Sequence, residues 1–314
     1  MKELKYIRKV AEAHPYDYEQ PPICKVELWD FSHANENDEA RKEAVCLVAS
    51  ISYGNEYCKD PERLWNLLIE KGHESPLEFV KDWIKDKEVW DLRNREFPTW
   101  EDDIRENYHG EDYTDGAIYM NRKYFATFKL KVPIFVARQI QRHRAFSYME
   151  MSRRYVKGDR VKFEFWNPVP EDITIEIIHP LCPEGKTRQN WEPEDFYRFF
   201  YDYCCDEYIG SLKAKPEQAR AFLPLGLYTQ FWMQGDYKAW LNFFIHRLHP
   251  EAQEETRLVA QAMWNLLKEH QPEIVKTMIN FLNLEEWIRN CNPMFAPARE
   301  KKAEWFTKNF LASD

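Results

Sequence analysis

The stretch best equipped for chemistry is residues 133–155, PIFVARQIQRHRAFSYMEMSRRY. It holds only one acid, Glu150, in a chain whose formal net charge is -9. Clustered guanidinium groups repel one another unless an anion neutralises them, and the planar fork of arginine matches phosphate and carboxylate oxygens. The pattern predicts an anion site, for a phosphorylated ligand, within a run that contains Arg138, Arg142, His143, Arg144, Arg153 and Arg154.

A charge run is more often a solvated helix face with surface ion pairs. Two features weigh against that alternative. Apolar residues between Ile134 and Phe146 are interleaved with the arginines, so part of the run must approach a core. Hydroxyl donors also stand beside the guanidinium groups, at Ser147, Tyr148, Ser152 and Tyr155.

The order Arg142-His143-Arg144, seven residues, then Ser152 resembles the signature of the flavin-dependent thymidylate synthases, also called thymidylate synthase complementing proteins. The resemblance covers roughly residues 25–80 and 124–270, in the family's order. Its further landmarks are the strand VELWDF, Gly72-His73-Glu74-Ser75, Ala219-Arg220 through Tyr228-Thr229, Asn242-Phe243 with Arg247, and Ala252-Gln253 with Glu255.

This resemblance implies an α+β fold, in which a sheet has flanking helices and the C-terminal half is helical. We expect residues 1–314 to form a single domain, with a family-atypical insertion at about 81–122 and a C-terminal extension at about 284–314. The resemblance further implies a homotetramer with shared active sites, FAD as cofactor, NADPH as reductant and methylenetetrahydrofolate as one-carbon donor. The implied reaction converts dUMP to dTMP.

The resemblance also implies which residues form the site. Arg247 would stabilise negative charge on the uracil as C5 becomes nucleophilic, and is the candidate catalytic residue. The nucleotide would contact Gln139, Arg142, Glu150, Met151, Ser152, Arg153, Arg154, Arg220 and Arg247. FAD would contact Ser52, Ser75, Arg142, His143, Arg144, Glu150, Asp236, Lys238 and Asn242. No cysteine needs a role, because the flavin carries the redox chemistry.

Several positions depart from the family's pattern on the cofactor side. Asp236 and Lys238 stand where an N-x-R pair is common, and neither replacement has the hydrogen-bonding geometry of the residue it replaces. Glu251 replaces a histidine, Met149 a polar residue, and Phe79 the last histidine of the Gly72 element. These departures leave open a shifted flavin contact, a different pyrimidine nucleotide or a hydroxymethyl product.

Composition limits the class of protein. The seven cysteines have no CxxC spacing, so a zinc site is not expected, and reduced thiols in a cytoplasmic protein are the simpler interpretation. No apolar run approaches the ~20 residues of a membrane span, and the first residues lack the apolar core of a secretory signal. The acidic balance argues against a general nucleic-acid binder, which needs a broad basic face.

Local patterns predict the elements that must position these residues. Alternation predicts strands at 23–31, 124–131 and 160–166, with Val26 and Leu28 on the opposite face to Glu27 and Trp29. Spacing and capping residues predict helices at 39–53, 61–71, 133–142 and 193–214, a helical stretch at 216–247 and a helix ending near His270. Gln139 and Arg142 would then share a helix face.

Three other functions remain open on the sequence. The first is a relative that modifies another pyrimidine nucleotide such as UMP. The second is a non-catalytic nucleotide- or RNA-binding protein that uses the arginines as a phosphate cradle. The third is a structural oligomer in which the arginines pair with the acidic insertion, residues 84–115.

Overall fold

A computed structural model describes residues 7–13, 22–31, 34, 38–73, 75–83, 125–153, 163–166, 193–206, 208 and 215–311. Within these ranges, helices and strands alternate along the N-terminal part and helices follow after residue 237. The elements are β1 (Ile7–Ala13), β2 (Cys24–Asp30), α1 (Asp38–Ser50), α2 (Pro61–Glu70), β3 (Phe125–Pro133), α3 (Ile134–Ile140), β4 (Ser147–Glu150), α4 (Pro193–Asp206), α5 (Pro216–Ala219), β5 (Tyr228–Asp236), α6 (Tyr237–Arg247), α7 (Glu254–His270), α8 (Pro272–Asn283), α9 (Glu286–Arg289) and α10 (Ala296–Phe306).

The five described strands form one antiparallel sheet in the order β1-β2-β3-β5-β4. Its register pairs Leu28 with Phe128 and Phe128 with Met233. The strands predicted at 23–31 and 124–131 are confirmed. The predicted one-sided alternation of β2 is wrong, because Glu27 and Trp29 are buried as well.

Both faces of the sheet are covered, which explains the burial of both faces of β2. On one face, Leu28 and Phe128 belong to a large core that also contains Trp240 of α6 and Met263 of α7. On the other face, Trp29 and Trp232 pack in a second cluster with apolar residues of α1 and of the 3-10 segment Ser75–Trp83. Strands buried on both sides lose the apolar-polar alternation.

The helical stretch predicted at 216–247 is wrong in its middle, where β5 lies between β3 and β4. The sequence of β5, YTQFWMQGD, is rich in aromatic and β-branched residues that favour strands. Gly235, the residue before the last one of this strand, lies against Phe146, and a Cβ at Gly235 would lie 2.4 Å from the Phe146 ring. The close approach of these two segments therefore needs glycine at this position.

Most predicted helices are confirmed, with shifted ends. The helix predicted at 39–53 is α1 followed by a 3-10 turn that ends at Gly54, whose φ of 71° is left-handed. The helix predicted at 133–142 is α3, which ends at Ile140, so Arg142 lies in the following turn and not on the helix face of Gln139. Strand β4 follows this turn, in a segment between the predicted helix at 133–142 and the predicted strand at 160–166 for which the sequence predicted no strand.

Two predictions fall partly outside the described residues. Of the strand predicted at 160–166, residues 163–166 are described, and they form a single bridge between Phe165 and Leu227. Of the insertion predicted at 81–122, only residues 81–83 are described. The helix predicted at 193–214 is described to Asp206.

The predicted C-terminal extension is helical as far as residue 311. It packs on the large core through Trp287 of α9 and Phe306 of α10, both buried. None of the helices in the described ranges is long and apolar enough to cross a membrane.

Candidate functional site

Helix α3 positions the arginine run. Pro133 precedes its first residue, and its preset φ suits the entry to a helix. Val136, Ala137 and Ile140 are buried and fix the helix on the sheet. Because the helix ends after Ile140, the next residues turn away from the core, and Arg142 and Arg144 are exposed there. Neither of these two arginines forms an ion pair with a described residue.

Arg247, the last residue of α6, joins this turn. Its Nε donates to Nε2 of His143 at 2.8 Å, and its Nη2 donates to the Gln139 carbonyl at 3.1 Å. Burial lowers the pKa of Arg247, and the nearby positive charge of Arg142 lowers it further. The guanidinium is therefore held rigidly while it is only partly solvated.

His143 is the acceptor that fixes Arg247. Burial and the charge of Arg247 lower the pKa of His143 to about 3, so the ring is neutral near pH 7 and the lone pair of its Nε2 can accept from Arg247. The edge of the ring meets Phe243 at 5.1 Å between centroids. Tyr148 supports the same turn, because its hydroxyl lies 2.9 Å from the His143 carbonyl and 3.0 Å from that of Ile140.

The start of α7 fixes the side chain of Gln139. Thr256 donates its hydroxyl to the Gln139 Oε1 at 3.1 Å, and the Gln139 Nε2 donates to Gln253. With the Arg247 contact to the Gln139 carbonyl, these bonds form one connected group, which we call the Arg247 cluster: Gln139, His143, Arg247, Gln253 and Thr256.

A second group of predicted residues lines a cleft of about 480 Å³, which we call the arginine cleft. Ile134, Ala137, Arg138 and Gln141 of the α3 segment form one wall. The other walls are formed by Glu150, Met151, Arg153, Glu217, Arg220, Ala221, Leu223, Leu225, Leu227, Tyr228 and Thr229.

The carboxylate of Glu150 is fixed at the edge of the arginine cleft. Its Oε1 accepts from Thr229 Oγ1 at 2.7 Å and its Oε2 accepts from Gln141 Nε2 at 3.1 Å. Ser52 joins the same strand end, because its carbonyl accepts from the Ser152 N–H at 3.1 Å. The turn that carries Ser52 therefore lies beside Ser152. The sequence predicts a flavin contact for Ser52 and a nucleotide contact for Ser152.

Arg153 differs from the other described arginines of the run, because only 8% of it is exposed. Its guanidinium lies over the Phe163 ring at 5.0 Å. Burial lowers the pKa of Arg153. Its Nη1 is buried and has no hydrogen-bond partner among the described residues. The site therefore contains a buried cation with an unused donor.

Two predicted flavin contacts lie away from both groups. Asp236 caps α6, because its carboxylate accepts from the Ala239 N–H at 2.8 Å. Lys238 lies 5.1 Å from the Phe281 ring centroid. Lys238 and Arg247 are nine residues apart on one helix, roughly 14 Å along its axis. Their placement at opposite helix ends separates Lys238 from the Arg247 cluster.

Of three other predicted residues, two are described. Asn242 is half-buried on α6, and Ser75 is exposed at the start of its 3-10 segment. Arg154 lies outside the described residues.

The remaining departures from the family's pattern have structural partners. Phe79 is fully buried in the second cluster, and Met149 packs against the same cluster. Glu251 forms an ion pair with Lys302 of the extension at 3.0 Å. An apolar pocket at residue 79 favours phenylalanine over a histidine that would need polar partners.

Sequence reasoning missed some residues that hold the site together. Thr229 belongs to a landmark but is not among the predicted contact residues, and neither are Gln141 and Thr256. Tyr148 is predicted only as a hydroxyl donor beside the arginines, not as a support of the turn. The signal that could have identified Thr229 is its place as the polar last residue of that landmark. The contacts of Gln141 and Thr256 carry no local signal. Among the described residues, no group of three or more His, Cys, Asp or Glu side chains is arranged to hold a metal ion.

The chain is similar to known proteins over the part that carries both groups. A family model described as thymidylate synthase complementing protein matches residues 123–273. A flavin-dependent thymidylate synthase of Thermotoga neapolitana is 32% identical over 175 residues, which are 52% of this chain and 70% of that protein. One of Pseudothermotoga lettingae is 30% identical over 168 residues, 53% of this chain and 72% of the relative.

A solved structure gives a weaker match. The UMP/dUMP methylase PolB from Streptomyces cacaoi, bound with 5-Br dUMP, is 23% identical, with a TM-score of 0.37. The overlap covers 50% of this chain and 70% of that one. A TM-score this low carries no conclusion about this chain.

Proposed function

The chain belongs to the thymidylate synthase complementing protein family, the flavin-dependent thymidylate synthases, and on that premise we propose that it methylates dUMP to dTMP. Methylenetetrahydrofolate is the one-carbon donor in this proposal, and NADPH is the reductant. The single observation that carries the chemistry is the Arg247 guanidinium, held at 2.8 Å from a neutral His143 and 3.1 Å from a fixed carbonyl.

The donor set fits a flavin cofactor. Arg142 and Arg144 are exposed, adjacent to the cluster and free of ion pairs with described residues, as a pyrophosphate-binding pair requires. Ser75 and Asn242 add polar contacts in this proposal, together with Ser52, Glu150 and the backbone around His143. Asp236 and Lys238, at the other end of α6, are the least favoured of the carried-over contacts. Bound FAD would supply the hydride for the reduction.

Arg247 is the catalytic residue of the proposal. Methylation at C5 requires negative charge to develop on the uracil ring and its carbonyl oxygens. A guanidinium that is partly desolvated and already oriented stabilises such charge more than a mobile, hydrated one. His143 holds this orientation by accepting the Nε proton, and it can do so because it is neutral. Gln139, fixed by Thr256, orients the base beside it.

The arginine cleft binds the other end of the nucleotide. Arg220 and Ser152 are suited to phosphate oxygens, and Arg154 belongs with them by position in the sequence. Glu150 and Met151 line the cleft where the sugar would lie. Because Thr229 and Gln141 fix the Glu150 carboxylate, its remaining lone pairs have defined directions for the deoxyribose hydroxyl.

The geometry of α3 supports a site shared between two copies. Ile134, Ala137, Arg138 and Gln141 face the cleft, whereas the Gln139 side chain leaves the helix roughly 140° around the axis. Residues that leave α3 in such different directions would not both contact one nucleotide within a single chain. We therefore include a homotetramer in the proposal, in which the Arg247 cluster of one copy completes the arginine cleft of another.

The proposal also covers the remaining expectations. One domain would span residues 1–314 with the fold of the family, and the insertion and the extension would be additions to it. The protein would act in the cytoplasm, where the six free cysteines of the described residues remain reduced. Neither UMP, a hydroxymethyl product nor a non-catalytic role is favoured by a specific contact.

The visible absorption spectrum of the purified protein with added FAD and dUMP tests the proposal. We expect a flavin band that changes on dUMP addition, followed by dTMP formation when methylenetetrahydrofolate and NADPH are supplied. A parallel assay with UMP separates the two nucleotides. A protein that takes up no flavin, and whose binding of nucleic acid falls steeply with salt, would contradict the proposal and favour the non-catalytic binder.

A further inference from the structure

The C-terminal extension has no task in the proposed reaction, yet its helix α10 reaches the segment that follows Arg247. One face of α10 is structural. Ala303 and Phe306 are buried there, and the centroids of the Phe306 ring and of the Trp264 ring on α7 lie 5.3 Å apart. This face fixes the extension on the large core. The charged and aromatic residues on the rest of α10 have other partners.

A second face of α10 carries residues spaced three apart, which we call the α10 row: Arg299, Lys302 and Trp305. Residues at this spacing are neighbours on a helix surface. The Arg299 guanidinium lies 4.4 Å from the centroid of the Trp287 ring. The Trp287 ring in turn lies 6.0 Å from the ring of His246. The row therefore reaches the end of α6, one residue before Arg247.

The rest of the α10 row contacts the turn between α6 and α7, residues 248–253. The Lys302 Nζ lies 3.0 Å from the Oε2 of Glu251. The rings of Trp305 and His249 meet edge to face, with 4.9 Å between their centroids. The Glu251 N–H donates to the Nδ1 of His249 at 3.3 Å, so the two partners of the row are bonded to each other. The row therefore holds one hydrogen-bonded unit of the turn.

This turn connects two members of the Arg247 cluster. Arg247 comes immediately before it, and Gln253, its last residue, accepts a hydrogen bond from the Gln139 Nε2. Gln139 also offers its carbonyl to Arg247 at 3.1 Å. A shift of the turn would therefore move both ends of this hydrogen-bonded group.

The later part of the turn lies at the surface. Leu248 is buried and anchors its start, whereas residues 249–253 are half-buried or exposed. Arg257 of α7 supports them, because its Nη1 donates to the carbonyls of Pro250 at 3.3 Å and Ala252 at 3.2 Å. The α10 row adds the ion pair and the ring contact. Such support matters because a displacement of about 1 Å at a catalytic group can cost much of the rate.

We infer that Lys302 and Trp305 are positioning residues, which act through the turn to hold Arg247 and Gln253 in place at the uracil ring. This inference rests on the proposed function, in which Arg247 stabilises negative charge on the uracil. It goes further in giving the C-terminal extension a task in the reaction. Lys302 and Trp305 themselves contact only the turn in this proposal.

The alternative is that the extension only covers the core. In that case the α10 row would contribute to the free energy of unfolding and leave kcat unchanged. The ion pair separates the two cases well, because an exposed pair contributes little to stability. The Glu251 side chain is 71% exposed, so changing it disturbs the turn and not the core.

Reversing the charges of the pair tests the inference. The variants are Lys302→Glu, Glu251→Lys and the double variant that exchanges the two residues. Lys276→Glu is the matched control, since Lys276 forms an exposed ion pair with Glu273 on α8 at 2.7 Å. Trp305→Leu removes the ring contact with His249, and Trp305→Phe keeps a ring there.

The readouts are steady-state dTMP formation by the FAD-loaded protein and hydrogen–deuterium exchange of the turn. The Ala252 N–H, which donates to the His249 carbonyl at 2.9 Å, reports on the turn. Kinetics are measured at pH 8, because burial lowers the pKa of His246 and His249, and both rings then stay neutral.

We expect Lys302→Glu and Glu251→Lys each to lower kcat by about 10-fold, because like charges push the turn away from α10. KM for dUMP should change by less than about 2-fold, since the arginine cleft is untouched. Exchange of the turn should become faster. The double variant should return kcat to within about 3-fold of wild type, because the ion pair is restored in reverse.

The remaining variants complete the expected pattern. Trp305→Leu should lower kcat as the charge reversals do, and Trp305→Phe should retain most of the wild-type value. Lys276→Glu should match the wild type.

Three results would overturn the inference while the proposed function stands. The first is a wild-type kcat in both Lys302→Glu and Trp305→Leu. The second is a double variant as slow as the single ones. The third is a lower kcat with unchanged exchange of the turn. If the charge variants do not fold, Trp305→Leu decides, and a wild-type kcat in it overturns the inference. If the wild-type protein holds FAD but forms no dTMP, the proposed function and the inference both fail.

Discussion

The Arg247 cluster and the arginine cleft lie on either side of α3, and they differ in whether the protein itself supplies hydrogen-bond partners for the buried guanidinium group. In the cluster, Arg247 donates to a neutral histidine and to a carbonyl, and Gln139 is fixed by Thr256. In the cleft lining, Arg153 is buried and its Nη1 has no hydrogen-bond partner among the described residues. The cluster is complete without a ligand, whereas the cleft is not.

This difference indicates different tasks. A catalytic charge must have its orientation before the transition state forms, so its supporting contacts belong to the protein. A binding charge contributes affinity only if the ligand supplies the missing contact, so its partner is absent from the protein alone. The cluster is therefore suited to act on the ring, and the cleft to hold the phosphate.

The largest expected effect comes from removing the cluster's cation. Arg247→Gln should lower kcat by about 100- to 1,000-fold, because a preoriented donor to the developing charge is lost. KM for dUMP should change much less. Steady-state kinetics with the flavin content measured in parallel provide the check. A kcat within about 3-fold of wild type would show that Arg247 does not stabilise the transition state.

Removing a hydrogen bond in the arginine cleft should weaken the binding of dUMP and leave kcat nearly unchanged. Thr229→Val removes the 2.7 Å hydrogen bond to Glu150 at nearly constant volume. We expect KM for dUMP to rise by about 10-fold with kcat changed by less than about 2-fold, since one hydrogen bond to a charged group is lost. Thr277→Val, at a half-buried position of α8 where the hydroxyl donates to the Glu273 carbonyl, is the matched control. A fall in kcat without a change in KM would contradict the division between the two groups.

The cluster should also make stability depend on pH. The pKa of His143 is lowered to about 3, so its stabilising contribution is complete above its unfolded value of 6.5 and is lost as pH falls from there toward 3. Between pH 7 and pH 5 the free energy of unfolding should fall by about 1–2 kcal/mol from this group. Urea titrations at both pH values measure the loss.

His143→Gln keeps an acceptor for Arg247 but does not titrate. This variant should lose less stability between pH 7 and pH 5 than the wild type does. Some loss will remain, because burial and the charges of Lys302 and Arg299 lower the pKa of His246 to about 4. Identical pH dependence in the variant and the wild type would exclude a buried neutral His143.

The smallest expected effect comes from Asp236, which lies at the end of α6 opposite Arg247 and outside the Arg247 cluster. Asp236→Ala removes the cap of α6 and should lower the free energy of unfolding by about 1 kcal/mol, whereas Asp236→Asn should leave it nearly unchanged. Denaturant titrations give both values. If Asp236→Ala weakens FAD binding by more than about 10-fold without affecting stability, the carboxylate contacts the flavin instead of acting mainly as a cap.

Local patterns predicted much of the fold but not how its parts meet. The strands at 23–31 and 124–131 and helices α1 and α2 followed from alternation, spacing and glycine stops. The sequence predicted a helical stretch where β5 lies. Its partner β3 lies about a hundred residues earlier in the chain, so no local pattern shows that the two strands pair. Long-range pairing decides between helix and strand for such aromatic segments.

The site shows the same limit. The family landmarks identified Arg247, His143 and Gln139, which the structure joins by hydrogen bonds. They could not show that Asp236 is a helix cap, because capping depends on where α6 begins, and that start was hidden by the missed strand. The burial of Arg153 was equally invisible, since Phe163 and the cleft wall reach it from other segments.

The central claim is that the cluster of one copy and the cleft of another form one active site. Co-expression of Arg247→Gln and Arg220→Gln chains tests it most directly, since each variant alone should be nearly inactive. If sites are shared, random assembly leaves about a quarter of them with both groups intact, and the mixed protein should recover up to about that share of wild-type activity. Activity no higher than that of the single variants would contradict the claim and assign both groups to a site within one chain.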